Sequence, residues 1–299
     1  MTPTTFIITG PTASGKSWLA HELAKRINGA VINCDAVQLY NGIETLSASP
    51  LTNNRQPATN NLIDDVSYFL YSTQNLSEHI SAGQYCELAK KSVNAAINSG
   101  MTPILCGGTG FYIDALLRGF SPLPEVSESA RVRARSLAEN NPNAAQEILG
   151  DFKFSDPQRI ARALEVFLET GLPIEHFQSM DRSNHIVPNA IKILVNPAVE
   201  ILTTRMQKRI NDMFNDGAID EVKNMILQKA DLNRAIGANE IAKFLKNEIG
   251  RDECLELWLI KTRQYAKRQR TWFKNKLKPD IIIDHIPTIS DIETILSYS

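Results

Sequence analysis

The residues Gly10, Pro11, Thr12, Ala13, Ser14, Gly15, Lys16 and Ser17 fit the phosphate-binding pattern G-x-x-x-x-G-K-[ST] without a mismatch, and they constrain the fold of this chain more than any other stretch. The motif needs a buried strand before it and a helix after it. Both are present: an apolar run covers 6–9, and Leu19, Leu23 and Ile27 recur behind the motif at helical spacing. Gly10 and Gly15 let the backbone curl until successive N–H groups face inward, where the helix N-terminus adds its partial positive charge. Lys16 is placed to reach the outer phosphates and Ser17 to offer a hydroxyl to Mg²⁺. A nucleoside triphosphate and a plain diphosphate look alike to such a row of amides, so the loop alone leaves both open.

Further strand-like runs at 30–35, 102–106, 191–195 and 280–284 alternate with helical patterns. The expected fold is α/β, a P-loop nucleotide-kinase-like parallel sheet flanked by helices. Between 119 and 189 the alternation stops and the segment reads as helices only, so it is expected to be a helical insertion domain. The flanking stretches, 1–118 and 190–299, then form the catalytic core. A helix is expected over 77–98, and a long polar loop, rich in Asn and Pro, over 44–61. Asp35 ends the second strand, on the edge where open α/β sheets bind ligands. The same position also suits a cap for a helix over 36–40. Gly107, Gly108, Thr109 and Gly110 end the third strand in a flexible turn aimed at the same crevice, unlike the acidic end of a standard second nucleotide motif.

The chain of 299 residues is long enough for about two domains, and its formal charge of −1 gives no overall reason to expect a polyanionic partner. Local clustering does. The stretch 261–278 carries eight Lys or Arg and no acid, interleaved with Tyr265, Trp272 and Phe273, a pattern that favours a phosphate-backbone partner over a merely solvated face. Arg205 and Arg209, four apart on a helical stretch, either decorate a surface or jointly grip an anion. In the middle segment Asp156 and Pro157 open a helix whose Ile160, Leu164 and Phe167 form a buried stripe, leaving Arg159 and Arg162 on another face. Four scattered cysteines without a C-x-x-C pair imply buried free thiols rather than a zinc site or a disulfide framework. With no run long enough to span a membrane and no charged start of a signal peptide, the protein is expected to be soluble and cytoplasmic.

Taken together these residues resemble the tRNA dimethylallyltransferase family, also called tRNA isopentenyltransferase. The resemblance runs nearly end to end and is carried by six blocks in order: 10–17; Asp35 with Gln38-Leu-Tyr40; Gly107-Gly-Thr-Gly-Phe-Tyr112; 156–165; Ala235-Ile-Gly237; and 262–269 through Thr271-Trp272. It implies transfer of a dimethylallyl group from its diphosphate to N6 of the adenine 3′ to the anticodon, giving N6-isopentenyladenosine. The implied partners are dimethylallyl diphosphate and a tRNA anticodon stem-loop, the implied cofactor is Mg²⁺ on Ser17, and a monomer is expected. Asp35 matches the general base, with Lys16, Thr12 and Arg209 assisting, and the 10–17 loop together with Arg205 or Arg209 would hold the diphosphate. Asp35, Ala36, Val37, Gln38, Thr109, Arg131, Gln158, Arg159, Ile160, Ala161, Arg162, Lys267, Arg268 and Arg270 would contact the tRNA. The chain departs from the family at Glu44-Thr-Leu-Ser-Ala-Ser-Pro50, where a glycine and a lysine are customary, and at Ala238, where a tyrosine is customary. The alternative is an ATP-dependent small-molecule or nucleotide kinase, which shares the loop and the sheet; the Gly-Gly-Thr turn and the basic tail stand against it.

Overall fold

Four buried residues, Phe6–Thr9, form β1, and the phosphate-loop motif then leads into α1 (Lys16–Ile27). The structure is a computed structural model that describes residues 4–51, 61–150, 156–180, 182 and 185–298. After α1 come β2 (Gly29–Asn33), β3 (Asn61–Ile63), β4 (Val66–Phe69), α2 (Ala82–Asn98), β5 (Thr102–Gly107) and α3 (Gly110–Arg118). Four helices follow, α4 (Glu128–Asn140), α5 (Pro142–Leu149), α6 (Pro157–Thr170) and α7 (Ile174–Gln178). The chain then forms β6 (Ile191–Val195), α8 (Val199–Asn215), α9 (Ala218–Leu227), a 3-10 turn (Leu232–Arg234) and α10 (Ala238–Leu245). It finishes with the long α11 (Arg251–Lys276), β7 (Ile281–Ile283) and α12 (Ile289–Tyr298).

The sheet has the order β3-β4-β2-β5-β1-β6-β7 and is parallel except for the β3–β4 pair. Ile8 lies opposite Cys106 on one side and Ile193 on the other, so β1 is fully flanked and the loop after it opens at the middle of the sheet. Near-continuous apolar strands of this kind mark a parallel sheet covered on both faces. Leu19 and Leu23 of α1 and Ile292 and Ile295 of α12 pack with Ile8, Val31, Ile104 and Ile193. Each such fully buried Leu or Ile contributes about 1.5–3 kcal/mol, and this face anchors the loop from below. The chain divides into two compact units, Met1–Leu117 with Ile186–Ser299, and Arg118–His185. The second has its own core of Ala134, Ala145, Ile160, Leu164 and Val166. Among the described residues no helix is long and apolar enough to cross a membrane, and all four cysteines are buried and free.

The strand–helix alternation read from the sequence agrees with this sheet, but one hairpin went unforeseen and two local expectations need correction. The β3–β4 hairpin was not anticipated. It turns through Asp64 and Asp65, both at positive φ (47° and 65°), which is what a two-residue hairpin turn of the I′ kind requires. The helix expected from 77 starts at Ala82, because Ser81 and Gln84 close a reciprocal capping box there. No helix forms over 36–40; those residues run through turns, and Asp35 accepts from the Val37 N–H at 3.0 Å. Of the polar loop expected over 44–61, residues 52–60 lie outside the described residues. The rest is folded inward, with Leu46 and Leu51 buried. Residues 151–155 of the helical segment also lie outside the described residues.

Candidate active site

The phosphate loop is shaped by its own backbone. Ser14 N–H donates to Pro11 O, and Gly15 caps α1 in the left-handed region (φ 97°), a conformation that other residues reach only with strain. No side chain caps this helix, so its first amides are left to an anion, the arrangement that binds phosphates at helix starts. Lys16 Nζ donates back to Pro11 O at 3.3 Å. Burial pushes its pKa below that of an ordinary lysine, partly offset by the nearby Asp35. Ser14 Oγ is buried without a hydrogen-bond partner. Among the described residues no three His, Cys, Asp or Glu side chains gather as a metal site. Mg²⁺ is commonly held by one or two carboxylates with substrate phosphates and water; here Ser17, on the first turn of α1, offers a single hydroxyl, which hydrogen-bonds Cys106.

Two arginines of α8 reach the loop. Arg205 Nε donates to Ala13 O at 2.9 Å, and Arg209 Nη2 donates to Thr12 Oγ1. Arg205 is exposed, whereas Arg209 is half-buried and its Nε is enclosed without a partner. Burial and the adjacent Arg205 push Arg209 down to about 10, and Asp35 opposes the shift. A second anion between these groups would relieve the repulsion between the two guanidiniums.

Asp35 is held by its neighbours rather than by a helix. Asn33 Oδ1 accepts the Asp35 N–H at 2.8 Å, and Asn33 Nδ2 donates to Asp35 O and Leu70 O. Thr109 Oγ1 accepts the Ala36 N–H at 2.9 Å, which ties the Gly-Gly-Thr turn to the same spot. Asp35, Thr12 and Arg209 line one small cavity of about 60 Å³, whose other walls include Val37, Leu46, Ile210, Met213, Trp258 and Tyr265. A carboxylate, a phosphate-loop threonine and an arginine set among apolar walls suit a small hydrocarbon group attached to a phosphate. Gln38 is engaged elsewhere: its amide donates to Ser47 O and Ala48 O, both at 3.0 Å, and so steadies the divergent loop. Glu221 completes that support by accepting the Thr45 and Leu46 N–H groups at 2.7 and 2.9 Å.

Sequence reasoning missed Gln269. Although it sits in the basic run, it is buried; its Oε1 accepts the Thr12 N–H at 2.8 Å and its Nε2 donates to Gly108 O at 2.9 Å. Tyr265, one turn earlier, hydrogen-bonds Thr109 and Gln269, and burial holds its phenol well above the ordinary range. Gly108 and Gly110 lie against Gln269 and the Trp272 ring so closely that neither has room for a Cβ. The signal available in the sequence was the spacing of Trp258, Thr262, Tyr265, Gln269 and Trp272, one helix face without a charge.

The family model described as IPP transferase matches residues 38–276. The chain belongs to this family. A tRNA dimethylallyltransferase of Rickettsia rickettsii is 36% identical over 295 residues, covering 93% of this chain and 78% of that protein. One from Zymomonas mobilis is 38% identical over 286 residues, covering 90% of this chain and 87% of that protein. A solved tRNA delta(2)-isopentenylpyrophosphate transferase of Staphylococcus epidermidis superposes with a TM-score of 0.67 at 27% identity, covering 99% of this chain and 98% of the other.

For an IPP transferase, the positions expected to meet RNA fall into different environments. In the Arg118–His185 unit, Gln158 and Arg159 are exposed on the first turn of α6, which Asp156 caps by accepting the Arg159 N–H. Ile160 is only 4% exposed and belongs to the core of that unit, and Ala161 packs against the same core. Both hold the arginine-bearing face rather than reach outward. Arg162 donates to the buried Glu165 at 2.8 Å, and Arg131 pairs with Glu128 at 3.8 Å. On α11, Lys267 and Arg268 are exposed, Arg268 lies 5.8 Å over the Tyr265 ring, and Arg270 is half-buried.

Proposed function

We propose that the protein transfers a dimethylallyl group from dimethylallyl diphosphate to N6 of the adenine 3′ to the anticodon of tRNA, releasing diphosphate. The observation that carries this reading is the shared cavity of Asp35, Thr12 and Arg209, which joins a proton acceptor to a phosphate cradle across apolar walls. Family membership and relatives named tRNA dimethylallyltransferase support it.

The diphosphate of the donor lies against the amides of the 10–17 loop, with Lys16 and Arg209 opposing the charge that grows as it departs. The five-carbon group rests on Val37, Leu46 and Met213, which keep water from the developing allylic cation. The N6 lone pair bonds to C1 as the C1–O bond breaks, its electron pair leaves with the diphosphate, and the N6 proton passes to the Asp35 carboxylate. Ser17 would hold a Mg²⁺ ion, which would supply further charge neutralisation on the leaving group. The adenine reaches Asp35 only when it is unstacked and turned out of the loop, while Lys267, Arg268, Arg270 and the exposed arginines of the helical unit hold the backbone. The enzyme acts in this reading as a cytoplasmic monomer.

The test is turnover without ATP. Incubation with dimethylallyl diphosphate, Mg²⁺ and an anticodon stem-loop should give an adenine heavier by one prenyl group in the mass spectrum. An unmodified RNA there, together with phosphorylation of a nucleotide in a parallel incubation supplied with ATP, would replace this reading with the kinase alternative.

A further inference from the structure

On the face of α11 turned away from Asp35 lies a second cavity, of about 830 Å³, between α8, the C-terminal half of α11 and the β6–β7 edge of the sheet. Its walls include Leu194, Leu202, Met206, Phe273, Leu277 and Ile282, and its rim carries Arg263, Lys267, Arg270 and Lys274. The four cations are spaced four, three and four residues apart, so they form one stripe on the helix. No Asp or Glu lines the cavity, and none of the four pairs with a carboxylate among the described residues. Two polar atoms of the lining, Arg270 Nη1 and Asn196 Oδ1, are buried without a hydrogen-bond partner. Enclosed polar groups of this kind are costly unless something arrives to pair with them.

The walls and the rim make different demands. A nucleic-acid backbone answers the cations but leaves the apolar walls bare. A fatty acid covers the walls but brings one negative charge to four cations. The volume lies in the range of about 300–1,000 Å³ that encloses ligands of drug size, so a five-carbon chain leaves most of it empty. We infer that this cavity binds an isoprenoid diphosphate longer than the five-carbon donor, with its chain on Leu202, Met206 and Phe273 and its diphosphate among Arg263, Lys267, Arg270 and Lys274. The site takes no group of the 10–17 loop, but it shares Lys267 and Arg270 with the surface given above to the RNA backbone, so an isoprenoid diphosphate and the anticodon stem-loop would exclude one another there.

Calorimetric titration with farnesyl diphosphate tests it, using the wild-type chain and the variants Lys16→Ala, Ile282→Trp and Lys274→Leu. Ile282 is 63% exposed and Lys274 is exposed, so neither change disturbs the core. The expected result is binding that survives Lys16→Ala and weakens about tenfold or more in each of the other two. Dimethylallyl diphosphate affinity and stem-loop prenylation should be unchanged in Ile282→Trp, which separates this site from the catalytic one. Loss of farnesyl diphosphate binding in Lys16→Ala, or affinity untouched by both Ile282→Trp and Lys274→Leu, would overturn the assignment. So would palmitate binding as tightly as farnesyl diphosphate, since the diphosphate would then be irrelevant.

Discussion

Two faces of α11 carry different halves of the chemistry. The inner face presents Thr262, Tyr265 and Gln269 without a charge, and through Tyr265 and Gln269 it fastens the phosphate loop to the Gly-Gly-Thr turn. The outer face presents Arg263, Lys267, Arg270 and Lys274 with no acid beside them. A charge stripe is visible in the sequence because its residues mean the same thing wherever they point. A buried amide is not, because its role is set by what it touches. The comparison also explains why a helix with such a basic surface packs so deeply: its inner hydrogen bonds are made by neutral groups that need no counter-ion.

The comparison can be broken from either side. Between these two faces the larger effect is expected at the cradle that the inner face supports: Lys16→Ala should lower kcat/KM for prenyl transfer by about 10²–10³-fold, as loss of a group opposing transition-state charge does. Gln269→Leu should follow, at about 10–100-fold, because it strands the Thr12 N–H and Gly108 O at a cost of about 1–3 kcal/mol each. A positioning role predicts that Gln269→Glu, which keeps the acceptor for Thr12, retains more of the rate than Gln269→Leu. Equal rates for the two variants would reduce Gln269 to packing. On the outer face, Lys267→Ala should leave single-turnover chemistry intact at saturating RNA and weaken RNA binding evenly across sequences. The slope of log affinity against log salt should become shallower by about one unit. A slope that stays the same would remove this face from the RNA account.

The smallest effect concerns pH. Burial lowers the Lys16 pKa, so its charge is lost at lower pH than an ordinary lysine would lose it. Donor affinity should therefore decline early on the alkaline side. Bound diphosphate favours the charged form and raises that pKa, so binding there should take up protons. Titration in two buffers of different ionisation enthalpy measures the uptake; proton release instead would reverse the sign of the argument.

Much of the fold was legible because its signals are local. The loop after β1, the alternation of short apolar strands with helices, and Asp156-Pro157 opening α6 each depend on a few adjacent residues. The β3–β4 hairpin was not legible, since its turn is Asp64-Asp65 without a glycine and its strands have only three and four residues. Within the site, Lys16, Asp35 and Arg209 were legible as charged groups at sheet edges or on helix faces. Gln269 and Glu221 were not, because their partners lie far along the chain: Gln269 bonds Thr12, and Glu221 clasps the backbone at 45–46. Family resemblance drew attention to the block around Ile160 without saying that its side chain points into a core.

The account rests on Asp35 taking the N6 proton in a cavity it shares with the diphosphate cradle. Asp35→Asn keeps an oxygen to accept the Val37 N–H, the contact seen at 3.0 Å, but gives up the proton-accepting carboxylate. Single-turnover prenyl transfer to the anticodon stem-loop, with RNA affinity measured in parallel, is the direct test. The account predicts a rate lowered by about 10²–10⁴-fold with RNA binding largely kept. A rate equal to that of the wild type would contradict it.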